Sequence, residues 1–437
     1  MMAQLSSIMM QYIDAAMVGR LGADDSAAVG LVSTSLWLFW GICSAVTVGF
    51  SVQVAHRIGA SDHDGARRIL RQSIVACLLF SLAVVAVGAA IAWSLPVWLG
   101  GTEAVCGKAS LYFLVFVLAL PLLTMNYLGG AMLRCVGNMK VPGGLNVMMC
   151  VLDIIFNFFL IFPTREIGLG SVSLTVPGAG LGVLGAALGT VSAEIVTAGL
   201  MMWFLCTREK TIRLKGHPGS FRLTRQVIGK ALRISAPMTL EHAVICGAQI
   251  AVTVIVAPLG IMAIAANAFA VTAESICYMP GYGIGDAATT LVGQSYGAQR
   301  MDVARRFGYI TVGLGMVMMT VMGVIMYVCA PWVMELMTPV GAIQTLGVES
   351  LRIEAFAEPM FAAAIVSYGV MVGVGDTIVP ACMNFGSIWL VRLPLAALLA
   401  PTMGLAGVWT AMCIELCFRG AIFLWRLLSG AWLKKGI

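Results

Sequence analysis

The chain has 437 residues, of which 60% are apolar and only 11% charged, and its formal net charge is +6. Soluble domains carry about 25% charged residues, so this composition excludes a water-soluble globular protein and makes a bilayer the solvent. The excess of base sits in a few short linkers, which argues against a nucleic-acid-binding face.

A helix needs about 20 apolar residues to cross about 30 Å of hydrocarbon, and twelve such runs are read in chain order. They cover 1–19, 26–54, 73–99, 109–133, 143–162 and 181–206, then 233–257, 263–294, 309–330, 345–373, 381–400 and 404–428. The linkers between them alternate in charge. Residues 56–71 hold Arg57, Arg67, Arg68 and Arg71, residues 207–230 hold seven Lys or Arg against Glu209, and residues 295–308 hold Arg300, Arg305 and Arg306. Linkers 22–25, 100–108, 163–180 and 258–261 are poor in base. The positive-inside rule places the basic linkers and both termini in the cytoplasm, so a multi-pass protein of the cytoplasmic (inner) membrane is expected. The first span has no basic n-region and no small-residue cleavage site, so no cleavable signal peptide is read. Twelve cysteines lie scattered, nearly all in apolar runs, without a CxxC pair or His at ligand spacing, and are read as small core residues. The 28 methionines are read as apolar filler.

The chain repeats itself. Adding 238 to a residue number carries Leu21 and Gly22 onto Leu259 and Gly260, Gly59 and Ala60 onto Gly297 and Ala298, and Asp64, Ala66, Arg67 and Arg68 onto Asp302, Ala304, Arg305 and Arg306. The same offset joins Pro121 to Pro359, Gly137 to Gly375, Pro142 to Pro380 and Asn146 to Asn384. Beyond the 163–180 linker the offset falls to 222, pairing Gly182 and Gly185 with Gly404 and Gly407. Six spans per copy is an even number, so both copies enter the membrane with one polarity and are related by an axis along its normal. The expected architecture is an all-α membrane protein of two six-helix lobes, 1–207 and 231–437, joined by a basic cytoplasmic linker at 208–230. Two such lobes around a cleft suit alternating access.

Polar residues present in one copy only are candidates for chemistry. Asp14 falls on Val252, Asp153 on Val391 and Asn157 on Leu395. At about 1.5 Å of rise per residue, Asp14, Asn157, Asp153 and Thr190 lie about 9 to 15 Å below the outer ends of their spans, in one layer. Asp153 and Asn157, four apart, share a helix face. An intramembrane acid must face a cavity, pair, or take up a cation; here H⁺ or Na⁺ is expected, the latter held by Asp14, Asp153 and Asn157. No other cofactor or metal is expected. The second copy has unshared charges of its own at Glu241, Glu274, Glu358 and Arg392. Glu274 lies near mid-membrane beside Tyr278, suited to an organic cation, so Glu274, Tyr278, Glu241 and Arg392 form a candidate substrate group. An internal Glu274–Arg392 pair is the alternative. Glu194, Glu415 and Arg419 are read as packing or interface partners.

These patterns resemble the multidrug and toxic compound extrusion (MATE) family along essentially the whole chain. The resemblance rests on IDAAMVGRLG (13–22), LRCVGNMKVP (133–142) and GLGVLGAALGT (180–190) in the first repeat. In the second it rests on APLGIMAIAANAFA (257–270), YMPGYGIGDAATTLVGQSYGA (278–298) and GVGDTIVP (373–380). It implies a twelve-helix, V-shaped antiporter, here taken as a monomer, exporting organic cations or other amphipathic compounds against H⁺ or Na⁺. The family's first-span aspartate matches Asp14, and its polar network in spans five and six matches Asp153, Asn157 and Thr190. The chain departs from the family pattern in placing Asp153 before Asn157, where members often have Asn then Asp. It also has Ile245 where some branches carry a seventh-span acid, and the point at which the family's first span usually has a proline lies just upstream of Met1, so either the true start is earlier or this first helix is short.

Two rival readings are kept. A flippase for lipids or lipid-linked oligosaccharides has a related two-lobed fold. The GxGD sequences ending at Asp286 and Asp376 also spell a motif of intramembrane aspartyl proteases, but Asp376 is expected in a short turn and Asp286 near the inner end of its span, far from the Asp14 layer.

Overall fold

The computed structural model describes residues 2–169 and 172–434. By contacts the chain forms two compact units: Met2–Val54 with His63–Leu232, and Ala55–Asp62 with the chain from Arg233 onward. The first unit contains α1 (Met2–Gly19), most of α2 (Ala23–Gly59), α3 (His63–Ile91), short α4 (Leu95–Trp98), α5 (Glu103–Cys135) and α6 (Lys140–Leu160), followed by strands β1 (Pro163–Leu169) and β2 (Val172–Ala179) and then α7 (Gly182–Thr207). The second contains most of α8 (Arg225–Val256), then α9 (Ile261–Gly297), α10 (Met301–Met337), α11 (Gly341–Ala355), α12 (Glu358–Val374), α13 (Ile378–Gly386), α14 (Leu393–Met403) and α15 (Leu405–Ser429).

Long apolar runs make helices because in hydrocarbon every backbone N–H and C=O must be paired within its own segment, and α5, α8, α9 and α10 continue through an internal proline. Among the described residues ten helices are long and apolar enough to cross a membrane, or eleven if the bent pair α11–α12 is one span. The chain is therefore a multi-pass membrane protein. Three of the twelve expected spans and one linker differ from a regular membrane-crossing helix and a plain loop. Helix α1 forms but is not among the ten. The expected span 345–373 is broken: α11 and α12 meet at 59°, with Glu358 and Pro359 in the first turn of α12, where an acid favours the helix dipole and proline lacks only an unused N–H. The span 381–400 is interrupted by a π-helical turn, Ser387–Arg392, between α13 and α14. The linker 163–180 is an antiparallel hairpin, pairing Glu166 with Thr175 and Leu169 with Val172.

Backbone geometry follows the repeat. Ser61 and Gln299, 238 apart in sequence, are the two non-glycine residues with positive φ among the described residues, at 58° and 59°. Gly22 and Gly260 share the left-handed half of φ space, as do Gly137 and Gly375. Matched turns thus end matched helices. In the second unit the C-terminal ends of α2 and α9 cross at their matched glycines. A Cβ on Gly59 would lie 1.9 Å from Gln294 O, and one on Gly297 would lie 2.0 Å from His56 O.

The second unit's core packs Ala266, Ala270, Met334, Leu405 and Trp409, and the Trp409 indole donates to Asn267 Oδ1 at 3.0 Å. The segment between α7 and α8 is tied to the first unit: Arg71 donates to His217 O, and Thr224 donates through its backbone N–H and its hydroxyl to Gln72 Oε1.

Candidate functional site

Helices α6 and α7 hold the polar layer of the first unit. The hairpin β1–β2 joins them, and its base continues as backbone bonds from Leu181 N to Leu160 O and from Gly182 N to Ile161 O, which set the register of one helix against the other. Their close approach depends on Gly185 and Gly189, spaced four apart as at many membrane helix contacts. A Cβ on Gly189 would sit 2.0 Å from Asn157 Oδ1, and one on Gly185 would sit 2.4 Å from Leu160 O.

Asp153 and Asn157 are fully buried, on the one face of α6 expected from their spacing. The Asn157 amide nitrogen donates to Asp14 Oδ1 at 2.7 Å and to Asp153 Oδ2 at 3.2 Å. Asp14 and Thr190 flank the Asp153 carboxyl, and the Thr190 hydroxyl donates to Ala186 O at 3.2 Å. Asp153 Oδ1 and Asn157 Oδ1 are buried without a hydrogen-bond partner among the described residues. Val18, Ile161 and Ala186, with Met17, Leu21, Tyr112 and Phe162, form an apolar cluster beside this layer. Helices α1, α6 and α7 therefore bring Asp14, Asp153, Asn157 and Thr190 together. Chemically the layer offers two carboxyls, an amide and a hydroxyl with no basic side chain bonded to them among the described residues, so a small cation is the counter-charge that would balance it.

The candidate residues of the second unit divide differently. Glu241 on α8 accepts from the Tyr368 hydroxyl at 2.6 Å and from the Asn384 amide. Tyr278 packs edge-on against Tyr282 and Phe361, with centroids 5.8 and 5.7 Å away. Arg392 is bonded to Glu415, not to Glu274: its Nε lies 2.9 Å from Glu415 Oε2, and Arg419 binds both oxygens of the same carboxylate at 2.7 and 2.8 Å. Ser387 and Arg392, the first and last residues of the π turn, both donate to Glu415. The turn thus aims two donors at one acid. Glu274 is buried, as are Glu354 and Glu358. Both oxygens of Glu354 and one of Glu358 lack hydrogen-bond partners among the described residues.

Sequence reading did not single out Glu354, Tyr368, Asn384 or Asn126. Glu354 lies two residues from Arg352 inside the expected span 345–373, and it is buried in the last turn of α11, just before the break. Asn384 is shared with Asn146 and so reads as scaffold, yet it serves Glu241. The Asn126 amide donates to Glu194 Oε1 at 2.7 Å. Asp376 is more than a turn residue, because it is buried and ion-paired with Arg426. The second GxGD aspartate, Asp286, is exposed.

The MatE family model matches residues 1–159 and 237–398. A probable multidrug resistance protein NorM of Thermotoga maritima is 25% identical over 97% of this chain and 89% of its own length. The multidrug resistance protein NorM of Burkholderia vietnamiensis is 26% identical over 97% of this chain and 90% of its own. Among solved structures, a MATE crystal structure in complex with MaL6 superposes with a TM-score of 0.90 at 21% identity, covering 100% of this chain and 95% of the other.

Proposed function

The chain belongs to the MatE family, and from that premise we propose that it is a cation-coupled antiporter exporting organic cations or amphipathic compounds across the cytoplasmic membrane. At the coarser level it is a membrane transporter, with helices for the bilayer and relatives named as multidrug resistance proteins along nearly its whole length. The observation that carries the finer reading is the single Asn157 amide shared by Asp14 and Asp153, in a position where the second repeat has Val252, Val391 and Leu395.

In this reading the basic linkers face the cytoplasm, and the Asp14 layer lies toward the outer side. H⁺ is the favoured ion in this reading, because Asp14 Oδ1 and Asp153 Oδ2 are gathered on one Asn157 amide, and a proton on either carboxyl relieves the repulsion between two acids held that close. Asp14 is the partly exposed member, and Asp153 is closed off from solvent. Asp14 therefore exchanges the proton with solvent, Asp153 is the second carboxyl that can carry it, and Asn157 holds the two together. Thr190 completes the oxygen set, with which Na⁺ is the competing ion. Antiport follows if the cation and the substrate favour opposite access states, since a ligand moves an equilibrium only by its differential affinity. For the substrate, Glu274 and Tyr278 supply a buried carboxyl and an aromatic face, a combination that attracts organic cations. Glu241 and Arg392, engaged with Tyr368, Asn384 and Glu415, shape that wall.

The test is dye export from proteoliposomes with H⁺ and Na⁺ gradients imposed separately, on the wild type and Asp14→Asn. Export by the wild type under a pH gradient, lost in Asp14→Asn although the variant inserts normally, is expected. Export under a Na⁺ gradient alone would replace the proton by Na⁺. Wild-type export by Asp14→Asn would remove Asp14 from coupling, and lipid movement without dye export would make the protein a flippase.

A further inference from the structure

The first unit buries a second polar pair that the coupling layer does not use. Glu194 on α7 is 2% exposed and Asn126 on α5 is 9% exposed, and the amide of one donates to the carboxyl of the other. Asn126 Oδ1 is itself buried without a partner among the described residues. Glu194 follows Thr190 by four residues, so both project from one face of α7, one turn or about 6 Å apart. Helical side chains lean toward the helix N-terminus, which here means toward Thr190 and the Asp153 carboxyl that it flanks.

The fold does not require a polar pair at this place. In the repeat register Glu194 falls on Leu416 and Asn126 on Ala364. Both are buried, at 1% and 3% exposure, and Leu416 packs with Ala357, Phe361 and Ile365. One copy thus fills these positions with hydrocarbon and the other with a carboxyl and an amide. Burying imperfectly paired polar groups is costly relative to apolar filling, and inside a membrane such groups mark ion and proton pathways. Farther along α7 and α5, toward Thr207 and Cys135, Met201, Leu205, Leu128, Met132 and Leu133 are all 1% exposed or less. Beyond Glu194 and Asn126 the polar column from Asp14 through Asn157, Asp153 and Thr190 therefore gives way to apolar packing, apart from Thr197, whose hydroxyl donates to Ala193 O at 2.9 Å.

We infer that Glu194, held by Asn126, is a second proton station, which receives the proton from the Asp14–Asp153 layer and holds it for release on the cytoplasmic side. The inference rests on the proton-coupled reading above. In the transfer an O–H bond of the Asp153 carboxylic acid breaks, one forms on the Glu194 carboxylate, and the negative charge moves to Asp153. The gap of about one helical turn is a span that one bridging water can cover, and the unpartnered Asn126 Oδ1 is an acceptor for it. The charged groups facing this column are Asp14 from α1 and Asp153 from α6. Helix α5 contributes Asn126, its charged residues Glu103, Lys108 and Arg134 lying near its two ends, and Glu194 is the one charged residue of α7.

The experiment compares wild type, Glu194→Gln, the double variant Glu194→Leu with Asn126→Ala, and Asp14→Asn in proteoliposomes. The double variant carries the second copy's own residues and so has a packing precedent in this fold. Two rates are read: net dye export driven by a pH gradient, and dye-for-dye exchange at equal pH, which requires no net proton movement. Both Glu194 variants are expected to keep exchange and to lose net export by about tenfold or more, the scale of a lost proton-transfer group. Wild-type net export by the double variant overturns the inference. Equal loss of exchange and export in both variants also overturns it, because the role would then be structural. If the wild type exports dye under no pH gradient at all, the coupling reading itself fails, and the inference with it.

Discussion

The Asn157 amide nitrogen lies 2.7 Å from Asp14 Oδ1, so a side chain on α6 fixes the acid of α1. The same nitrogen reaches Asp153 Oδ2 at 3.2 Å. One donor thus sets the spacing of two carboxyls. Replacing it by the residue that the second repeat carries, Asn157→Leu, removes both bonds and keeps the apolar bulk. Hydrogen bonds to charged groups contribute about 1.5–3 kcal/mol, and the expected outcome is loss of gradient-driven dye export with helical content unchanged by circular dichroism. Export at the wild-type rate would show that the amide has no part in coupling.

Gly189→Ala tests the helix contact beneath the layer. The added Cβ would lie 2.0 Å from Asn157 Oδ1, so α7 must retreat or the amide must rotate. Overpacking of this kind costs about 1–3 kcal/mol. A lowered melting temperature in detergent and weakened coupling are expected together. Gly199→Ala, where a Cβ meets nothing within 4 Å, is the control on the same helix and should leave both unchanged.

Matched glycines should respond alike. Gly59→Ala and Gly297→Ala each place a Cβ 1.9 to 2.0 Å from a carbonyl oxygen of the partner helix, a contact that only a backbone shift relieves. Both variants are expected to lose thermal stability to a similar degree in a detergent unfolding assay. A large effect from one and none from the other would mean that the crossing is not symmetric in its energetics.

Glu415 is held by Arg392, Arg419 and Ser387, and its loss leaves two guanidinium groups buried without their acid. Breaking one partner out of a buried ion pair costs about 3–5 kcal/mol. Glu415→Leu is therefore expected to reduce the yield of folded protein in size-exclusion chromatography sharply. Combining it with Arg392→Leu and Arg419→Met should restore much of that yield, since well-packed apolar replacement of a buried ion cluster is often tolerated. If the single and the combined variant lose yield equally, the cluster does more than balance its own charge.

Much of the architecture was legible in the sequence because the bilayer leaves the chain few options. Composition assigns the solvent, and the recurring offset reveals two copies. That offset reappears in the backbone as the matched φ values of Ser61 and Gln299. Asp14, Asp153, Asn157 and Thr190 stood out because they are polar where the other copy or the surrounding run is apolar, and counted rise alone put them at similar depth. Less legible were the departures from regular helix. The hairpin at Pro163–Ala179 hides in a linker rich in Gly and β-branched residues. The break before Glu358 falls next to a proline whose counterpart, Pro121, lies inside unbroken α5.

By itself the sequence determined that this is a membrane protein made of two like halves, and which of its acids belong to one half alone. These properties follow from residue type and spacing, which the hydrocarbon reads directly. Only the tertiary structure decided the partners. Arg392 goes to Glu415 rather than Glu274 because the π turn redirects it, and Asn157 bridges two acids because Gly189 lets α7 close on α6. Which buried group a side chain reaches depends on where neighbouring helices cross, and that is a property of packing between segments far apart in sequence.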